Sequence, residues 1–165
     1  FLWTLDPRRD SVYELAIYMQ EFGSRLFAET DVKFRVIGLD DGLKLARLSA
    51  DWKRQLSLLF KEALTNSLRH ADAHRVELRF GIVDDRLEIS ARDDGVGFDS
   101  ERGVRDSAYG LVGMRERADA IGARLIIDSA PGEGTTVTVY AGARQNGTAE
   151  TTTDTTTRAG ATTSA

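Results

Sequence analysis

The chain contains no cysteine. Disulfide staples and thiolate metal sites are therefore excluded, a composition that suits a reducing cytoplasm. No apolar run approaches the ~20 residues of a membrane-spanning helix, and no signal peptide is visible. Basic charge is not in excess: 22 Lys plus Arg stand against 26 Asp plus Glu, for a formal net charge of -4. A general binder of nucleic acid or anionic membrane would be basic, so neither is expected as a partner. What the chain does have is 165 residues, 41% of them hydrophobic. That is enough for one domain with a real core, followed by a tail. It begins at Phe1 rather than Met, and we expect it to be a piece of a longer protein, with any membrane anchor in segments elsewhere.

Periodicity divides the chain. FLWTLDPRRD, residues 1–10, looks like the end of an upstream element. Asp10 or Ser11 caps a helix running to about Glu29, with Val12, Leu15, Ala16, Met19, Phe22 and Leu26 on one face. Residues 32–39 alternate as a strand, and 46–50 suggest a short extended piece. Ser49 or Asp51 caps a second helix ending near Ala71. Residues 75–83 and 86–94, joined by Asp84 and Asp85, predict a hairpin. Residues 95–109 are Gly-rich and charged, and are expected to form a mobile loop. Leu111 to Ile121 predicts a third helix closed by Gly122. Residues 123–130 and 135–141 predict a second hairpin around a PGEG turn. From Gly142 the composition turns to Thr, Ala and Ser, which predicts a disordered tail over 142–165. The expected fold is α+β over 11–141, a two-layer sandwich. About three helices cover one face of a mixed, mostly antiparallel sheet.

Four stretches carry candidate chemistry. In KEALTNSLRHA (61–71), Glu62, Asn66 and His70 recur every four residues and share a helical stripe roughly 80° wide. Taken alone the stripe reads first as a solvated helix edge. Glu62 and Asn66 also offer oxygen to a hard cation such as Mg²⁺, and Arg69 can neutralise phosphate. In ARDDGVGFD (91–99) a strand ends in two carboxylates followed by Gly95 and Gly97, where backbone can approach a ligand closely. A carboxylate at that point can accept from an exocyclic amine, although an acidic β-turn has the same appearance. A calcium loop is rejected, because glycines stand two and four residues beyond Asp93 where oxygen ligands belong. In YGLVGMRERADAIG (109–122), Gly110 and Gly113 sit at a helix start, which suits an anion. Neither a Walker nor a dinucleotide pattern is present. PGEGTTV (131–137) is by itself an ordinary hairpin turn.

In this order, EALTNSLRHA, DDGVGF, GLVGMRER and GEGTTV resemble the ATP-binding boxes of the Bergerat-fold ATPases, in the branch of the two-component sensor histidine kinases with a short ATP lid. The resemblance covers about residues 50–141. It implies the Bergerat-type sandwich, ATP and Mg²⁺. By the same resemblance Asn66 holds Mg²⁺, while Glu62 positions or activates the attacking group and can share the metal. Arg69 and His70 lie near the phosphates. Asp94 accepts from the adenine amine, with Gly95 and Gly97 allowing close approach. Gly110, Leu111, Gly113 and Met114 cradle phosphate at the helix start, Thr135 or Thr136 lies near the adenine, and residues 99–109 form the lid, with Phe98 the nearest match to its phenylalanine mark.

One part of the family pattern is missing. The phosphoacceptor His of such kinases lies on a dimerising helical hairpin, and neither His70 nor His74 has that setting. FLWTLDPRRD resembles the last residues of such a hairpin. The resemblance therefore implies a catalytic domain, itself monomeric, within a homodimeric parent. That parent would autophosphorylate on the hairpin and relay to a response regulator. The alternatives are an anti-sigma-factor Ser/Thr kinase of the same fold and a nucleotide-sensing module without catalysis.

Overall fold

The computed structural model describes residues 10–99, 108–142, 144 and 145; the side chains at 108, 109, 144 and 145 are outside the description. Helix α1 (Val12–Leu26) starts at Ser11, whose hydroxyl accepts the Glu14 N–H at 3.2 Å. That satisfies one of the unpaired amides of a helix start. Its buried stripe is Val12, Leu15, Ala16, Met19 and Gly23. Strand β1 (Lys33–Ile37) follows, and its Phe34 ring stacks on Phe27 with centroids 5.5 Å apart. Helix α2 (Gly42–Leu45) and strand β2 (Ala46–Arg47) are short. Helix α3 (Ala50–His70) is capped by Ser49, which accepts the Trp52 N–H at 3.2 Å. It buries Leu56, Phe60, Ala63, Leu64 and Ser67. The fully buried Leu and Phe side chains contribute ~1.5–3 kcal/mol each.

Strands β3 (Arg75–Val83) and β4 (Arg86–Asp93) form a hairpin. Its two-residue turn is Asp84–Asp85, both at positive φ (50° and 58°), the backbone a tight hairpin requires. Helix α4 (Ala108–Ala120) leads to β5 (Arg124–Ala130) and β6 (Gly134–Gly142). The sheet order is β1-β3-β4-β6-β5. Only the β1–β3 pair is parallel within it. Helices α1, α3 and α4 cover one face, with α3 over β4 and α4 over β5. The mixed sheet covered on one side agrees with the expected fold class.

Alternation decides what each face carries. On the covered face the register aligns Val76, Asp93, Thr135 and Ser129 in one row across β3, β4, β6 and β5. On the open face the neighbouring row is Arg35, Glu77, Arg92, Thr136 and Asp128. There Arg35 Nε donates to Glu77 Oε2 at 2.7 Å. Opposite charges on adjacent strands hold this water-facing surface polar.

Four details differ from the sequence expectation. Helix α2 is a single turn with too few residues to show periodicity. Helix α4 begins three residues before Leu111, at Ala108. Strand β6 runs to Gly142, and Arg144–Gln145 (β7) pair antiparallel with β2, so ordered backbone extends past the expected end at 141. Asp10 is tied to the same place: its carbonyl accepts the Leu48 N–H at 2.6 Å, and its carboxylate pairs with Arg47. The expected hairpin remnant up to residue 9, most of the expected lid and the tail beyond 145 lie outside the described residues. Among the described residues no helix is long and apolar enough to cross a membrane.

Candidate functional site

A cavity of about 250 Å³ opens between α3, α4 and the ends of β4 and β6. Its floor is the covered-face row of the sheet. Asp93 is 4% exposed there. Its Oδ1 accepts the N–H of Gly95 and of Thr135, each at 3.1 Å, and its Oδ2 accepts the Ser67 hydroxyl at 2.8 Å. A carboxylate has about four acceptor positions. Three are used, so one remains for a donor in the cavity.

Asp94 is elsewhere. It is exposed, and its Oδ1 accepts the backbone N–H of His74 and Arg75 at 2.8 Å each, on the turn from α3 to β3. Loss of water raises its pKa. The N–H groups of Arg75, His74 and Asp94 itself, with the charge of His74, outweigh that and leave it below the ordinary carboxylate value. Against expectation Asp94 is not among the cavity residues, and the carboxylate that lines the cavity is its neighbour Asp93. The reason is strand parity. Leu87, Ile89 and Ala91 face the core, and the same phase continues to Asp93. Parity separates the two threonines in the same way. Thr135 lines the cavity in phase with Val137 and Val139, while Thr136 lies on the open face.

At the other end, Asn66 and His70 on α3 and Leu111 and Met114 on α4 line the cavity. Glu62 stands one turn before Asn66, against the start of α4. A methyl group on Gly110 would lie 2.6 Å from Glu62 Oε1 and 3.4 Å from Asn66 Nδ2. Glycine there lets α4 approach both polar side chains. The free amides of a helix end with its first turn. Because α4 starts at Ala108, Gly110 lies within that turn. Gly113 is inside the hydrogen-bonded ladder, and its carbonyl accepts from Arg117 at 2.7 Å. Gly113 is thus not placed to cradle an anion, contrary to expectation. Arg69 is exposed and is not among the residues that line the cavity.

Gly97 and Phe98 close the cavity opposite α3. Gly95 contributes its N–H to Asp93 rather than a wall. Gly134, at φ 76°, packs its α-carbon on the Asp93 carbonyl, where a methyl group would come within 2.2 Å of the oxygen. Gly134→Ala therefore combines left-handed strain with a backbone clash. We expect it to lose at least ~2–3 kcal/mol of stability, read as a drop in denaturation midpoint.

Sequence reasoning missed Asp93, Ser67 and Ser129. For Asp93 the signal was present as the phase of the buried alternation on β4, whereas β5 carries the unbroken apolar run Leu125, Ile126 and Ile127 and gave no phase for Ser129. Ser67 had no such signal, since its partner lies 26 residues away.

Comparison with known proteins agrees with this geometry. Residues 53–145 match the family model described as histidine kinase-, DNA gyrase B-, and HSP90-like ATPase. The chain is 31% identical over 144 residues to an uncharacterized sensor-like histidine kinase of Chloroflexus aurantiacus, covering 84% of this chain and 24% of that protein. It is 33% identical over 99 residues to the sensor histidine kinase ComP of Bacillus subtilis, covering 59% of this chain and 13% of that protein. The chain thus spans about a quarter or less of these relatives. The histidine kinase domain of the Erythrobacter litoralis EL346 blue-light activated histidine kinase shares the fold, with a TM-score of 0.66 at 20% identity, covering 81% of this chain and 65% of that one. With more than half of its residues matched by the family model, the chain belongs to the histidine kinase-, DNA gyrase B- and HSP90-like ATPase family.

Proposed function

We propose that this domain is the ATP-binding catalytic domain of a bacterial two-component sensor histidine kinase. The observation that carries the reading is the spare acceptor of Asp93 at the floor of a cavity whose far end meets Asn66, Glu62 and the first turn of α4. Asp93 accepts from the adenine amine, while Phe98, Met114 and Val137 supply apolar wall. Phosphates lie toward Asn66, His70 and Gly110, where the helix start favours negative charge. Among the described residues no cluster of three or more His, Cys, Asp or Glu could cage a metal ion. The donor set instead suits Mg²⁺, which keeps several waters and takes one or two protein oxygens beside substrate phosphates. Asn66 would hold it through its side-chain oxygen, with Glu62 one turn away. When bound there, the ion would neutralise phosphate charge.

Phosphoryl transfer asks mainly for positioning and charge stabilisation. The γ-phosphoryl group leaves ATP for an imidazole nitrogen on a dimerising hairpin in the rest of the parent protein, and a response regulator receives it next. The work is done in the cytoplasm. Calorimetry of this chain with ATP plus Mg²⁺ tests the reading, with saturable heat expected and weaker binding when Mg²⁺ is chelated. No heat at millimolar nucleotide refutes it. Mixed with a hairpin piece of the parent, the chain should place phosphate on the hairpin and none on His70.

A further inference from the structure

Ser129 makes more hydrogen bonds than a strand residue in a hairpin requires. Its Oγ accepts the Phe98 N–H at 2.9 Å. The same oxygen lies 2.9 Å from the Gly134 carbonyl, to which it donates, and 3.0 Å from Thr135 Oγ1. Thr135 in turn gives its own N–H to Asp93 Oδ1 at 3.1 Å. One hydroxyl therefore joins two cavity walls that come from different parts of the chain. Phe98 belongs to the segment leaving β4, and Thr135 to the start of β6. A further contact runs alongside, the Gly132 N–H to the Val96 carbonyl at 2.6 Å. That bond joins the same two loops outside the cavity and does not reach Phe98.

We propose that Ser129 is a positioning residue for the base end of the cavity: its hydroxyl sets the separation between Phe98 on one side and the Thr135–Asp93 pair on the other. This rests on the ATP reading above. A flat ring between these walls needs them held at one spacing, and preorganised walls lower the cost of binding. Without the hydroxyl, the Phe98 N–H loses its acceptor in a part-buried position. The spacing of Phe98 from Thr135 is then no longer fixed by a direct bond, although Gly132 still bonds Val96 behind it, while Asn66, His70 and Gly110 at the phosphate end are untouched.

The test measures calorimetric affinity for ATP, GTP and inorganic triphosphate, each with Mg²⁺, in the wild-type chain, Ser129→Ala and Ser129→Thr. Failure of the wild type to bind ATP sinks the ATP reading itself. Given wild-type binding, Ser129→Ala is expected to bind ATP about five- to tenfold more weakly. Triphosphate affinity should stay unchanged, so the ATP preference narrows. Ser129→Thr keeps the hydroxyl and should restore ATP binding. A merely structural role would weaken all three ligands together. The proposal is overturned if folded Ser129→Ala keeps the wild-type ratio of ATP to triphosphate affinity, or if folded Ser129→Thr behaves as alanine does. Should Ser129→Ala fail to fold, hydrogen exchange in the wild-type chain decides. The Phe98 and Thr135 amides should be protected together without ligand, and exchange of the Phe98 amide at the free-peptide rate overturns the proposal.

Discussion

Asp93→Asn should weaken ATP binding by ~100-fold or more while leaving the domain folded. The substitution is nearly isosteric. The side-chain oxygen can keep the Gly95 and Thr135 amides, and the new amide can donate to the Ser67 hydroxyl, which rotates to accept. What disappears is the spare acceptor. An exocyclic amine of adenine would then face an N–H, donor against donor, in a site only 4% exposed. Loss of a charge-assisted hydrogen bond together with a buried unpaired donor costs ~3–5 kcal/mol, which is roughly two to three powers of ten. A purine with a carbonyl at the same position should suffer less, so the ratio of ATP to GTP affinity should fall. Calorimetry with both nucleotides measures it. Wild-type ATP affinity in a folded Asp93→Asn variant would remove Asp93 from the base site.

Asn66→Ala should abolish the Mg²⁺ dependence of ATP binding and stop transfer to a hairpin substrate. Here the argument is the sparseness of the donor set. Glu62 alone is a poor substitute, because its carboxylate already packs against Gly110. Even partners one layer outside a metal ligand cost ~10–100-fold in metal affinity when removed, so loss of a direct ligand should cost at least that much. Titrating Mg²⁺ at fixed ATP shows the effect. If the variant keeps the wild-type enhancement by Mg²⁺, the ion is held without Asn66. The alanine removes no core contact, since Asn66 is only half-buried on the cavity side of α3, and the melting temperature should move little.

Long elements with strong period were legible. The α3 helix with its Ser49 cap, both hairpins and the one-sided covering of the sheet all follow from local pattern and turn chemistry. Part of the cavity lining was also legible, because Asn66, His70, Gly97, Leu111, Met114 and Thr135, all within or beside the four boxes, line one cavity. The choice within pairs was not. Whether Asp93 or Asp94, and Thr135 or Thr136, lines the cavity depends on which face of the strand each occupies. A motif that ends in two like residues carries no such information unless the alternation is followed through it. The exposed position of Arg69 and the place of Gly113 inside α4 depend on where helices end, to within a residue or two, which sequence defines least well. Ser67 reaches Asp93 and Ser129 reaches Phe98, 26 and 31 residues away, and no local pattern announces either bond.

The pairing of β4 with β6 has one more consequence. Asp93 and Thr135 face each other across that seam and are 42 residues apart in sequence. The two hairpins close over short turns, whereas the seam closes a long loop whose entropy must be overcome before its contacts form. The floor of the cavity is therefore a product of the finished topology. A peptide bearing the first hairpin carries the carboxylate without the Thr135 amide that orients it, and one bearing the second carries the amide without the carboxylate. The cavity floor cannot be cut out as a short sequence; it needs both hairpins joined along the β4–β6 seam.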